Sequence, residues 1–198
     1  MINERKNILF LDMDGVLNSN YLIRKWCDRK YKELADSYMH KPEATLMEFT
    51  KDEFRKEFKF GKELIFPELA KRLNEVIETC NVKLIWSTSW RTVSPYAGNI
   101  YNARAMLERR GVNSSALIDY TPNFRRFSDC SYHRRASEII SYVMDNDHGI
   151  TFDDRLAAID DLNLSELEND DIKFFGTETE FGLTDEIKNK MIEYFNGN

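Results

Sequence analysis

Cysteine and histidine are sparse in this chain, with three of each among 198 residues, and neither is grouped. Cys27, Cys80 and Cys130 are odd in number, far apart and without paired metal-ligand spacing, so they read as reduced, partly buried thiols rather than a disulfide framework. His40, His133 and His148 are equally scattered, which argues against a zinc centre. Long apolar runs are also missing. The longest are strand-length, short of a membrane span, and Met1 to Lys6 has no signal-peptide core, so a cytoplasmic protein without a membrane partner is expected. Positive charge is in deficit. A net charge of -6 argues against a general nucleic-acid or membrane binder, although a local basic patch remains compatible with it. No internal repeat or low-complexity tract is found.

What is present is ample core material, 42% of residues being hydrophobic, in a chain long enough for one domain and a small elaboration. Ile8 to Leu11 is an apolar run that ends in Asp12 and Asp14, followed by Gly15. Alternation along a strand sends both carboxylates the same way, and glycine permits a tight turn and close approach of a ligand. Crowded carboxylates repel unless a proton or a hard cation relieves them, and Mg2+ suits a sparse oxygen set. A calcium loop would close with glutamate at its twelfth position; counted from Asp12, that position is Ile23. Phosphate chemistry is therefore favoured over a calcium site or a plain turn.

The remaining chain alternates helix and strand. Tyr31, Leu34, Ala35 and Tyr38 have the spacing of an amphipathic helix, and Phe54 and Phe58 repeat it beyond Pro42, which suggests a helical insert over 20–61 between core segments 1–19 and 62–198. A helix starting at Pro67, a strand over Val82 to Trp86, a helix over Asn99 to Arg110 closed by Gly111, and a strand near Ala116 to Asp119 follow. A loop from Tyr120 to Tyr132 mixes Phe124, Arg125, Arg126 and Phe127. Helical spacing resumes at Ile139, Ile140 and Val143; then a short strand over Gly149 to Phe152 is expected to run into Asp153 and Asp154. A last strand at Ile172 to Phe175 and a helix over Asp185 to Phe195, capped by Thr184, complete the pattern. The fold class is α/β: a Rossmann-like, doubly wound, mostly parallel sheet with a small helical cap insert.

In such sheets ligands bind beyond the carboxyl ends of strands. Asp12 and Asp14, then Ser87, Thr88 and Ser89, then Arg134 and Arg135, then Asp153 and Asp154 occur in an order that resembles the haloacid dehalogenase (HAD) superfamily of phosphotransferases. Asp-Met-Asp-Gly-Val-Leu-Asn (12–18), Thr-Ser-Trp-Arg (88–91), Phe-Asp-Asp (152–154) and Gly-Leu-Thr (182–184) look like the small HAD domains of bacterial and phage RNA-repair proteins.

The resemblance implies a Mg2+-dependent phosphatase. Asp12 would be the nucleophile forming an aspartyl-phosphate, and Asp14 the general acid and base. Mg2+ would be held by Asp12, the backbone carbonyl of Asp14, and Asp153, with Asp154 acting through water or orienting its neighbour. Thr88 and the backbone beyond it at Ser89 would bind phosphate, Ser87 being the rival, and Arg134 or Arg135 would stand where the superfamily commonly has lysine. Trp90, Arg91 and Arg125 are candidate substrate contacts; for Trp90 stacking on a base competes with plain packing. Asp160 and Asp161 read as a cap followed by a solvated acid. The resemblance also implies that the insert shapes specificity. Its substrate is expected to be a small phosphomonoester, a nucleotide before a nucleic-acid end, while the rival from another class is a protein that keeps the fold and site but sequesters a nucleotide with little turnover. Oligomeric state is left open.

Overall fold

A computed structural model of the chain describes residues 5–37, 65–92, 95–124 and 131–197. Five strands, β1 (Asn7–Leu11), β2 (Lys83–Trp86), β3 (Leu117–Tyr120), β4 (Arg155–Asp160) and β5 (Lys173–Gly176), form one sheet in the order β3-β2-β1-β4-β5. Every pairing is parallel. Helices α1 (Asn20–Ser37), α2 (Pro67–Cys80), α3 (Ile100–Arg109), α4 (Ser131–Met144) and α5 (Asp185–Asn196) complete a Rossmann-like α/β fold.

A parallel strand covered on both faces can be apolar throughout, and β1 is: Ile8, Leu9, Phe10 and Leu11 are all fully buried. Their alternation divides the core. Leu9 and Leu11 join Leu69, Leu73 and Val76 of α2, Met106 and Leu107 of α3 and Met191 and Phe195 of α5. Ile8 and Phe10 face the other way, onto Ala136, Ile139, Tyr142 and Val143 of α4. Each such buried large side chain contributes roughly 1.5–3 kcal/mol relative to exposure.

Local signals place the helix ends. Pro67 opens α2, whose last turn gives way to Asn81 in the left-handed region. Asn99 caps α3 by accepting from Asn102 N–H, and Thr184 caps α5 by accepting from Ile187 N–H. The helix expected around Tyr31 to Ala35 is part of α1, which starts at Asn20; its Leu22, Ile23 and Trp26 pack against the larger core cluster. Tyr38, Phe54 and Phe58 lie outside the described residues, as do Arg125, Arg126 and Phe127. Among the described residues no helix is long and apolar enough to cross a membrane.

One expected element is corrected. Residues 149–154 are turn and irregular chain, and the strand is the next segment, Arg155–Asp160. Its Ala157 and Ala158 have weak strand propensity, which hides it in the sequence. The tertiary setting overrides that weakness: β4 pairs with β1 on one side and β5 on the other, and its last five residues are all buried.

Candidate active site

The chain moves from β1 through β2 to β3 on one side of the sheet, then returns to place β4 against the other side of β1. Strand order therefore reverses between β1 and β4, and the crevice for a ligand opens beyond their carboxyl ends. Asp12 immediately follows β1 and Asp160 ends β4. The sheet ladder holds them together, Asp12 N–H donating to Ile159 C=O at 3.1 Å. Asp161 is the third member: one carboxylate oxygen from each of Asp12, Asp160 and Asp161 lies within 4.8 Å of the others.

The turn after β1 is shaped for this convergence. Gly15 has φ of 70°, and a Cβ there would collide with the Asp161 carboxyl group. Asn18, 8% exposed, accepts from Gly15 N–H at 2.8 Å and donates to Asp14 Oδ1 at 2.9 Å. Trp90 Nε1 donates to Asp14 Oδ2 at 2.8 Å. The Asp14 carboxylate is thus gripped at both oxygens while the residue stays exposed to solvent. On the other side Thr179 Oγ1 donates to Asp161 Oδ2 at 2.8 Å, and Thr177 Oγ1 donates to Gly15 C=O at 2.8 Å. Gly182 belongs to the same support: its φ is 68°, and a Cβ would stand 2.8 Å from Val16 C=O.

Burial dominates the electrostatics. Asp12 and Asp160 are 5% and 1% exposed. Desolvation pushes the Asp12 carboxyl up to about 6, opposed by Arg135 and a Thr88 hydroxyl hydrogen bond and reinforced by Asp14. It pushes Asp160 up to about 8, with Asp12 adding to the rise and Arg135 opposing it. Arg135, projecting from α4, meets both: Nη1 is 3.0 Å from Asp12 Oδ1 and 3.4 Å from Asp160 Oδ2. A cluster of hard oxygen donors that strains against ionisation is the donor set a divalent cation such as Mg2+ favours.

Several expected site residues change place. Asp153 and Asp154 precede β4, at the end of the sheet away from Asp12. Asp154 accepts there from Lys6 N–H at 2.8 Å and Thr151 N–H at 3.1 Å, beside the start of β1. The length of β4 separates that pair from the crevice by roughly 17 Å at 3.3 Å per residue. The acids beside Asp12 are instead Asp160 and Asp161, whose sequence setting suggests only a cap and a solvated acid. A signal for them does exist in the sequence: Leu-Ala-Ala-Ile-Asp-Asp (156–161) has the same form as Ile-Leu-Phe-Leu-Asp (8–12), an apolar run closed by aspartate.

Arg135 meets Asp12, whereas Arg134 lines a small cavity of about 50 Å3 with Ser89, Arg135 and Asn123. Thr88 is fully buried with its hydroxyl on Asp12, and the Ser87 hydroxyl is buried with no partner among the described residues. Trp90 is 8% exposed and turned onto Asp14, so its indole is a brace rather than an open stacking platform. Arg91 is turned inward too. It pairs with buried Glu138 and donates to Thr88 C=O and to Pro122 C=O, while Glu138 accepts from Phe124 N–H at 2.8 Å. Arg91 and Glu138 thereby tie the Thr88 turn to α4, which carries Arg135. Arg125 lies outside the described residues.

A parallel α/β sheet with buried carboxylates at the ends of β1 and β4 defines a domain of the HAD type. More narrowly, the family described as the HAD domain in Swiss Army Knife RNA repair proteins matches residues 8–187, and the chain belongs to it. Membership supports a phosphatase-like function and makes phosphorylated nucleic acids or nucleotides the substrate class to consider. No curated protein and no solved structure matches the chain.

Proposed function

We propose that this protein is a Mg2+-dependent phosphomonoesterase acting through an aspartyl-phosphate on a nucleotide or a nucleic-acid terminal phosphate. The observation that carries the reading is the convergence of Asp12, Asp160 and Asp161 at the point where strand order reverses. Asp12 is the nucleophile. An Asp12 carboxylate oxygen attacks phosphorus as the ester P–O bond breaks, and the departing oxygen takes its proton from Asp14. In the second half Asp14 accepts a proton from water as that water attacks phosphorus, which restores the Asp12 carboxylate and releases phosphate. The double grip of Asn18 and Trp90 on Asp14 keeps the shared acid and base in one geometry for both halves.

Asp12, Asp160 and Asp161, with the backbone carbonyl of Asp14, would hold Mg2+; when bound, the ion offsets the repulsion between anionic nucleophile and anionic phosphate. Thr88 and the Ser89 backbone hold phosphate oxygens, and Arg135 spreads the charge that nucleophile and phosphate share. Arg134, at the rim, meets the substrate rather than Asp12. The segment 20–61, which begins with α1, acts as the cap that selects substrate.

The test is phosphate release from nucleoside monophosphates, phosphorylated oligonucleotides and sugar phosphates, with Mg2+ and with EDTA, beside Asp12→Asn. Release that requires Mg2+ and vanishes in the variant supports the reading. A folded, Mg2+-binding protein that releases nothing, yet is stabilised by a nucleotide, would be the sequestering protein instead.

A further inference from the structure

The described part of α1 carries Lys25, Trp26 and Arg29 toward a groove of about 680 Å3, whose opposite wall is the end of α3 with Arg109 and Arg110. Among the described residues lining this groove there are four cations and one acid, Glu68. That is a local reversal of sign in a chain of net charge -6. Lys25 and Arg29 are one helical turn apart and so share a face, and Trp26 lines the same groove beside them. Trp26 also packs against the core, which fixes the ring rather than leaving it loose.

The groove starts next to the candidate active site. α1 begins two residues after Asn18, and Asn20 N–H donates to Thr179 C=O, whose side chain holds Asp161. Lys25 and Arg29 lie only about 7 and 13 Å along the helix from Asn20 at 1.5 Å per residue. Across the groove, Phe66 N–H donates to Leu17 C=O in the Asp12 turn at 3.0 Å.

We propose that this groove binds a single nucleic-acid strand, with its phosphodiesters on Lys25, Arg29, Arg109 and Arg110 and a base against Trp26, and leads the strand's end toward Asp12. Four cations and an aromatic ring lining one groove suit a strand that presents phosphates and bases together, which an acidic peptide does not offer and a flat anionic membrane does not reach. The volume suits about two nucleotides, within the range of ordinary ligand clefts. The proposal deepens the phosphatase reading and rests on it for the fate of the strand's end; the binding step itself is independent of turnover.

The test uses the full chain in EDTA and a fluorescent single-stranded 12-mer RNA with hydroxyl at both ends, followed by anisotropy. Neutralising the two or three phosphates of about two nucleotides, at about 0.7 counterions each, predicts a roughly 7- to 20-fold loss of affinity between 50 and 200 mM salt. The variant Lys25→Glu/Arg29→Glu/Arg109→Glu, checked for an unchanged melting temperature, is expected to bind at least 10-fold more weakly and with a flatter salt dependence. Equal binding by this variant would overturn the proposal, and so would competition by oligo-glutamate as strong as by unlabelled RNA, which would indicate an acidic protein partner. If neither protein releases phosphate while RNA binding still follows the three cations, the phosphatase reading fails and the groove stands. RNA binding indifferent to those cations removes the groove whatever the phosphatase does.

Discussion

Replacing Asp160 by asparagine should make the metal-free protein more stable and inactive. In the folded chain without Mg2+ the Asp160 carboxyl is pushed from 3.8 to about 8, chiefly by burial and then by Asp12. Between about pH 4 and 8 the folded state therefore keeps a proton that the unfolded chain has released, and stability must fall as pH rises through that window. At about 1.4 kcal/mol per unit the upper bound is roughly 6 kcal/mol. Relaxation and water entry around the carboxyl pair leave on the order of half of that. Asparagine keeps the shape without the ionisation, so the variant should avoid most of this loss. For a domain of this size, where 1 kcal/mol shifts the melting temperature by about 2–4 °C, the gain is roughly 6–12 °C at pH 8 in EDTA. At pH 4.5, where the folded Asp160 is already neutral, the two proteins should melt within about 2 °C of each other. Mg2+ should raise the melting temperature of the parent at pH 8 and leave the variant nearly unmoved. Thermal melts at the two pH values, with and without Mg2+, make the measurement. An Asp160→Asn protein that is less stable than the parent at pH 8 in EDTA would refute the assignment of Asp160 as a strained, metal-ready carboxylate.

Asp153→Asn and Asp154→Asn should leave phosphate release within about threefold of the parent. Asp154→Ala should nevertheless lower stability by about 1–2 kcal/mol, since Lys6 N–H and Thr151 N–H lose their acceptor, and a melt would register it. Trp90→Phe removes the indole N–H from Asp14 but keeps an aromatic ring in place; kcat should fall about tenfold with KM little changed, and an unaltered kcat would dismiss the brace. Glu138→Ala leaves Arg91 charged and buried, at a cost of about 3–5 kcal/mol, which chemical denaturation would detect as an earlier midpoint with an unchanged slope.

Local chemistry is legible in the sequence. The apolar run of β1, Pro67 at the head of α2, Asn99 and Thr184 at helix starts and Gly111 after α3 act through neighbours in the chain, and each element stands within a residue or two of its expected position. The first acidic motif is legible for the same reason, because alternation and Gly15 are properties of a short segment. The α/β class follows from the beat of strand and helix. Strand β4 does not, because its two alanines carry little strand preference of their own and become a strand only between β1 and β5.

The rest of the site belongs to the tertiary structure. Two acidic pairs, Asp153-Asp154 and Asp160-Asp161, sit seven residues apart and look equivalent in the sequence. Which pair meets Asp12 depends on which end of β4 lies at the carboxyl end of β1, and that is set by sheet pairing across more than a hundred residues of chain. The same holds for Arg135 over Arg134, where one residue's turn of a helix brings one guanidinium onto Asp12 and leaves the other lining a small neighbouring cavity. It also holds for Trp90 and Arg91, adjacent in sequence but committed to Asp14 and Glu138 by long-range hydrogen bonds. A few contiguous residues are enough to specify the paired acids and the turn that carries Asp12, because alternation, apolar content and a glycine act locally. The partners of that turn come from distant strand ends, and only sheet pairing brings those within a few ångströms of one another.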